Sequence, residues 1–213
     1  MGCISCASRP REYIIADMDP VDAGSLEVGL IQIPFSKTIR LSYPTATFNP
    51  RADTVILRFQ YQTVTYMQHW DRAAREAFIT AVKFYNTDYE THNLPARAAS
   101  RTARVYGSIK QMRVDWGALR VLINSRAFPR FDLGYAFNNN TPYFTVTQNS
   151  AENIFDSGVE EVELKCLQII FYLTRSMAED MAALFDRDYL LSLIVIPESP
   201  QRPLNSEIIP DEY

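Results

Sequence analysis

The segment Thr54–Met67, TVILRFQYQTVTYM, sets Val55, Leu57, Phe59 and Tyr61 at alternate positions, with Arg58, Gln60 and Gln62 out of phase with them. Successive side chains of a strand point to opposite faces, so this pattern describes a strand with one face buried and the other wetted. Immediately afterwards the period changes. HWDRAAREAFITAVKFYNTDYETHNLP carries Ala74, Phe78, Val82, Tyr85 and Tyr89 on one helical stripe, while Arg75, Glu76 and Lys83 point elsewhere. Asp71 offers an N-cap oxygen and Pro95 stops the helix, giving bounds of about 71–92. A chain that passes from a half-buried strand into an amphipathic helix belongs to neither the all-α nor the all-β class.

The remaining segments read mostly as strands. LEVGLIQIPFSKTIRLSYP gives two short extended pieces broken at Pro34, because proline cannot donate to a ladder. RTARVYGSIKQMRVDWG is a further extended stretch, and FDLGYAF and YFTVTQN flank NNNTP as a hairpin, asparagine tolerating the positive φ that such a turn needs. VELKCLQIIFYL becomes apolar on both faces, as a covered strand does. Ser176 and Glu179 then stand at capping-box spacing, which predicts a second helix over about 177–193. Only 7 Gly accompany 12 Tyr and 12 Phe, a composition that favours sheet surfaces. Two helices are too few for parallel crossovers, so the expected architecture is a single α+β domain: one bent, mostly antiparallel sheet covered by both helices. Residues 1–25 read as a leader, 26–196 as the domain and 197–213 as a proline-rich tail.

Two of the three cysteines, Cys3 and Cys6, fall in the opening MGCISC. Gly2-Cys3 and Ser5-Cys6 resemble the end of the lipobox of bacterial lipoproteins, and CASRP with the polar stretch after it resembles their tether. That resemblance implies a diacylglyceryl thioether on Cys3 or Cys6 and a domain held at the cell envelope. Met-Gly-Cys also resembles the N-terminus of myristoylated and palmitoylated eukaryotic proteins such as the Src-type kinases, with Gly2 and a nearby cysteine as the two acyl sites that stable anchoring needs. An ordinary N-terminus on a cytoplasmic protein is the third reading.

Other motifs are weighed against plainer structure. YIIADMDPVD resembles the first motif of the haloacid dehalogenase phosphotransferases, which implies Asp17 as nucleophile, Asp19 as general acid, Mg²⁺ nearby and a fold that alternates strand and helix. The plainer reading is a polar loop. His69, Trp70 and Asp71 meet at a strand-to-helix junction, where His69 with an aspartate is a candidate for an enzyme site. Plainly read, Asp71 caps, Trp70 staples the helix to the sheet and His69 stands partly exposed. No glycine-rich phosphate loop is present, and a zinc site needs about four ligands where only His69 and His92 join the cysteines, so no cofactor or metal is expected.

Charge is unevenly spread along the chain. Residues 97–130 hold eight bases and one acid, residues 151–213 four bases and thirteen acids, within a net charge of −4. Arg101, Arg104, Tyr106, Lys110, Arg113 and Trp116 alternate basic and aromatic residues and form a candidate binding surface. A charged sheet edge explains the same pattern, and the overall acidity argues against nucleic acid as a partner. The expectation is a membrane-anchored envelope lipoprotein without catalytic activity that binds a small ligand or protein.

Overall fold

A computed structural model describes residues 18–32, 38–94, 106–118, 125–154 and 165–194. Cys3, Cys6, Asp17, Arg101, Arg104 and the tail at 197–213 lie outside the described residues.

Fourteen strands among the described residues form two six-stranded sheets and one two-stranded ribbon, with every pairing antiparallel. In chain order they are β1 (Val21–Ser25), β2 (Val28–Leu30), β3 (Arg40–Ser42), β4 (Thr45–Asn49), β5 (Thr54–Tyr61), β6 (Val64–Trp70) and β7 (Gly107–Ile109). There follow β8 (Val114–Ala118), β9 (Ser125–Ala127), β10 (Phe131–Asn138), β11 (Thr141–Gln148), β12 (Ala151–Glu152), β13 (Lys165–Cys166) and β14 (Ile169–Leu173). The first sheet has the order β1-β4-β5-β6-β8-β9 and the second β3-β2-β14-β11-β10-β7, while β12 and β13 form the ribbon. The α+β class and the antiparallel pairing stand, but one bent sheet is replaced by two. The sheet also starts at Val21, inside the stretch read as a leader.

The two sheets are continuous at both lateral ends. β1 runs into β2 and β3 into β4, so one long hairpin bends from the first sheet into the second, with Leu26 N donating to Pro44 O (2.9 Å) across the corner. At the opposite end β7–β8 and β9–β10 bend in the same way, and Met112 N donates to Pro129 O (3.1 Å). A proline at each corner accepts a ladder bond without needing to donate one, which is what a strand that changes sheets requires. β1 carries a bulge at Asp22/Gly24, where Gly24 has φ 100°. Gly29 allows β2 to approach β14: a Cβ there would stand 2.8 Å from Tyr172 O.

α1 (Arg72–Glu90), α2 (Arg175–Phe185) and α3 (Arg187–Ser192) complete the domain. Asp71 caps α1 as the sequence predicts, its Oδ1 accepting from Ala74 N at 2.7 Å. The second helix differs from expectation. Thr174, rather than Ser176, is its N-cap, accepting from Met177 N, and Glu179 instead accepts from Arg175 Nε at 2.9 Å. Asp186 has extended backbone, ends α2 and caps α3 through bonds from Asp188 N and Tyr189 N, so the span 177–193 holds two helices.

The inner face of the second sheet is shared. At one end it meets the first sheet, Phe59 packing edge-on against Phe171 (5.0 Å). At the other it meets α1, Phe78 and Tyr85 both lying against Phe144 (5.6 and 5.4 Å). Trp70 closes the junction against Phe78, Phe131 and Phe185. Arg75, expected on the exposed side of α1, is 1% exposed and donates to the carbonyls of Asp53 (2.6 Å) and Trp70 (3.0 Å). The Asn139-Asn140 turn has φ 49° and 64°, as the asparagine run led one to expect.

A chain of buried hydrogen bonds ties the sheets together. Trp70 Nε1 donates to Gln68 Oε1 (3.2 Å), Gln68 Nε2 to Gln148 Oε1 (2.8 Å), and Gln148 Nε2 to Leu167 O (3.0 Å). Gln68 and Gln148 are both buried, so removing Gln148 leaves the Gln68 Nε2 donor desolvated and without its acceptor. Gln148→Ala is expected to cost about 1–3 kcal/mol in urea unfolding. A cost under half a kcal/mol would mean water replaces the amide.

Candidate functional site

On the outer face of the first sheet, alternation puts His69 of β6, Asp115 of β8 and Arg126 of β9 on the same side, with Arg113 just before β8. Asp115 and Arg126 are directly opposite one another in the ladder. The Asp115 side chain is 2% exposed and accepts from His69 Nε2 (2.9 Å), Arg113 Nη2 (2.7 Å) and Arg126 Nε (2.7 Å). Burial alone would raise this carboxyl, but the hydrogen bonds from His69, Arg113 and Arg126 outweigh it and hold it well below the usual carboxylate range.

Beside this cluster a cavity of about 360 Å³ opens at the start of α1. Its polar lining is Asn49, Thr54, His69, Asp71, Gln111 and Arg113. Several of these groups have spare capacity. Asn49 accepts from Arg51 N through Oδ1, Asp71 uses Oδ1 for the cap, and Arg113 grips Asp115 with Nε and Nη2. With Nε2 committed to Asp115, the imidazole of His69 keeps Nδ1 for whatever enters the cavity. Among the described residues no group of three or more His, Cys, Asp or Glu side chains stands where it could hold a metal ion.

The residues singled out from sequence are dispersed. Asp19 is an exposed surface residue in an ion pair with Arg51 (3.3 Å), and the antiparallel strands around it do not have the strand-helix alternation implied by the dehalogenase resemblance. The described part of the basic-aromatic stretch does not make one surface. Trp116 is fully buried, Tyr106 packs against Tyr85 and Phe144 with its hydroxyl on Asp88 (2.9 Å), and Lys110 is exposed. Of the four described, only Arg113 reaches the cavity. Asp71 and Trp70 take the plain roles expected of them, but the aspartate that pairs with His69 is Asp115, 46 residues later. The trace it leaves in the sequence is the alternation of RVDWG, which sets an acid and an arginine on the face opposite Val114 and Trp116.

A sequence family described as "Uncharacterised Treponema protein" matches residues 26–192. The chain belongs to this Treponema family. The match includes His69, Asp71, Arg113, Asp115 and Arg126, so the whole cluster and its cavity lie within the family domain. An uncharacterized protein of Treponema pallidum (strain Nichols) is similar to it, 23% identical over 192 residues, covering 86% of this chain and 69% of the relative. No solved structure matches. Among the described residues of this Treponema family member, no helix is long and apolar enough to cross a membrane.

Proposed function

We propose that this Treponema family member is an envelope lipoprotein, anchored through a diacylglyceryl group on Cys3 or Cys6, whose folded domain is a non-catalytic binding component facing a periplasmic or surface ligand. The observation that carries the binding role is the cavity at His69, Asp71 and Arg113, where fixed side chains keep hydrogen-bonding capacity unused. Gly2-Cys3 and Ser5-Cys6 support the anchor, and membership of a family named for a bacterial genus favours bacterial lipidation over the myristoylated adaptor.

The anchor is testable by intact mass of protein isolated from its native cell, with labelled fatty acid as a second readout. Label is expected in the wild type and is expected to vanish when Cys3 and Cys6 are both replaced by Ser. Unlabelled wild type with an unmodified N-terminus would remove the envelope reading and favour the cytoplasmic one.

One contact favours a second reading. His69 Nε2 at 2.9 Å from the buried Asp115 is the orientation of a general base and its orienting carboxylate, as in a small enzyme. Turnover of a bound ligand that His69→Gln abolishes without loss of binding would establish that reading.

A further inference from the structure

The charges around the cavity cancel. Arg113 and Arg126 contribute two positive charges, and Asp115 and Asp71 two negative ones. The neighbouring charges close on themselves: Asp53 pairs with Arg75, and Arg72 with Glu76 (2.8 Å). A ligand bearing a single anionic group would face Asp71, and one bearing a single cation would face Arg113. A ligand with both is opposed by neither.

The hydrogen-bonding capacity left over is also of two kinds. Arg113 Nη1 and the amide nitrogens of Asn49 and Gln111 are donors without a partner among the described residues. Asp71 Oδ2 accepts no bond there. In the neutral imidazole, an Nε2 proton given to Asp115 leaves a lone pair on His69 Nδ1. Donors suited to a carboxylate and acceptors suited to an ammonium therefore share one space, and at about 360 Å³ that space is at the small end of ligand pockets (roughly 300–1,000 Å³). The remainder of the lining includes Ile56, Met112 and the half-exposed Phe128, which are apolar.

We infer that the cavity at His69, Asp71 and Arg113 binds a free α-amino acid with an apolar side chain, its carboxylate met by Arg113 and the amides of Asn49 and Gln111, and its ammonium by Asp71 and His69. A free α-amino acid carries an ammonium and a carboxylate on one carbon beside its side chain, whereas a peptide separates its two termini. This assignment rests on the binding role proposed above and gives it a ligand class.

The test is calorimetric titration of the full chain at neutral pH with three probes of nearly equal size: L-leucine, N-acetyl-L-leucine, which keeps only the carboxylate, and L-leucinamide, which keeps only the ammonium. Leucine is expected to bind saturably and at least about tenfold more tightly than either half-probe. Asp71→Asn retains a good N-cap and is expected to weaken leucine at least about tenfold. Gln111→Ala, at an exposed residue outside the ion-pair cluster, is expected to weaken it by a smaller factor without altering the fold. Equal binding of leucine and N-acetyl-leucine, lowered by Gln111→Ala, would overturn the amino-acid assignment but leave the binding role standing. Absence of saturable binding by all three probes would overturn the assignment, and saturable binding unaffected by both substitutions would place the site elsewhere.

Discussion

Asp115→Ala is expected to destabilise the protein by about 3 kcal/mol, because removing one member of a buried charge cluster strands the others. The carboxylate is 2% exposed and accepts from His69 and two arginines, while Arg113 and Arg126 keep 40% and 34% of their side chains in solvent. Their residual hydration sets the cost at the low end of the usual range for a broken buried pair, about 3–5 kcal/mol. In a domain of this size that corresponds to a fall in Tm of about 6–12 °C. The pH dependence follows the same chemistry. The folded Asp115 carboxyl holds a proton more weakly than the unfolded one, whose pKa is about 3.9. Acidification therefore loads protons onto the unfolded state first, and the stability this residue contributes is complete above about pH 4 and drains away as pH falls through its lower folded value. Asp115→Asn should flatten the acid limb of the stability curve as well as lowering the plateau. A variant with wild-type Tm and an unchanged acid limb would show that the cluster contributes nothing net.

Trp70→Ala should be more damaging still. The residue is fully buried and packs on Phe78, Phe131 and Phe185 with ring centroids at 5.8, 5.9 and 4.9 Å, so it touches α1, the second sheet and α2 at once. Truncating a buried tryptophan costs about 3–5 kcal/mol, and here the cavity left behind cannot collapse without moving a helix. Thermal unfolding followed by far-UV circular dichroism should show Tm lowered by about 10 °C or more. Trp70→Phe separates the two contributions. It keeps a ring in place but loses the bond to Gln68 Oε1 and part of the indole's buried volume, so its cost should be smaller, about 1–2 kcal/mol. Equal losses in the two variants would show that the hydrogen bond, rather than the packing, holds the junction.

The parts of the fold that could be read from sequence are those set by neighbours in the chain. The alternation of β5, the stripe of α1, the Asp71 cap and the Asn139-Asn140 turn are all local patterns, and each has its expected form. Sheet order is not local. Pro44 and Pro129 each mark a place where a paired hairpin bends into the other sheet, which no local pattern displays. Arg75 shows the same limit on a smaller scale. Its charge places it in water by pattern, whereas the carbonyls of Asp53 and Trp70 that satisfy it are contributed by the chain before the helix. The sequence marks His69 as a candidate but points to Asp71 as its partner, because adjacency is all that a string displays. Strand pairing brought Asp115 to it instead, and spread Tyr106, Lys110, Arg113 and Trp116 between core, surface and cavity.

The two bent hairpins have a further consequence for how copies of this molecule coexist. Because the turned corners consume the lateral ends, the outermost strands are short: five residues in β1 and three each in β3, β7 and β9. Adding a strand from a second molecule requires a long, flat row of unpaired amides and carbonyls, and such stubs offer few. Crowding at high concentration therefore finds little template for cross-β growth among the described residues, even though more than half of each of β5, β6 and β10 is apolar and would be open to aggregation if exposed.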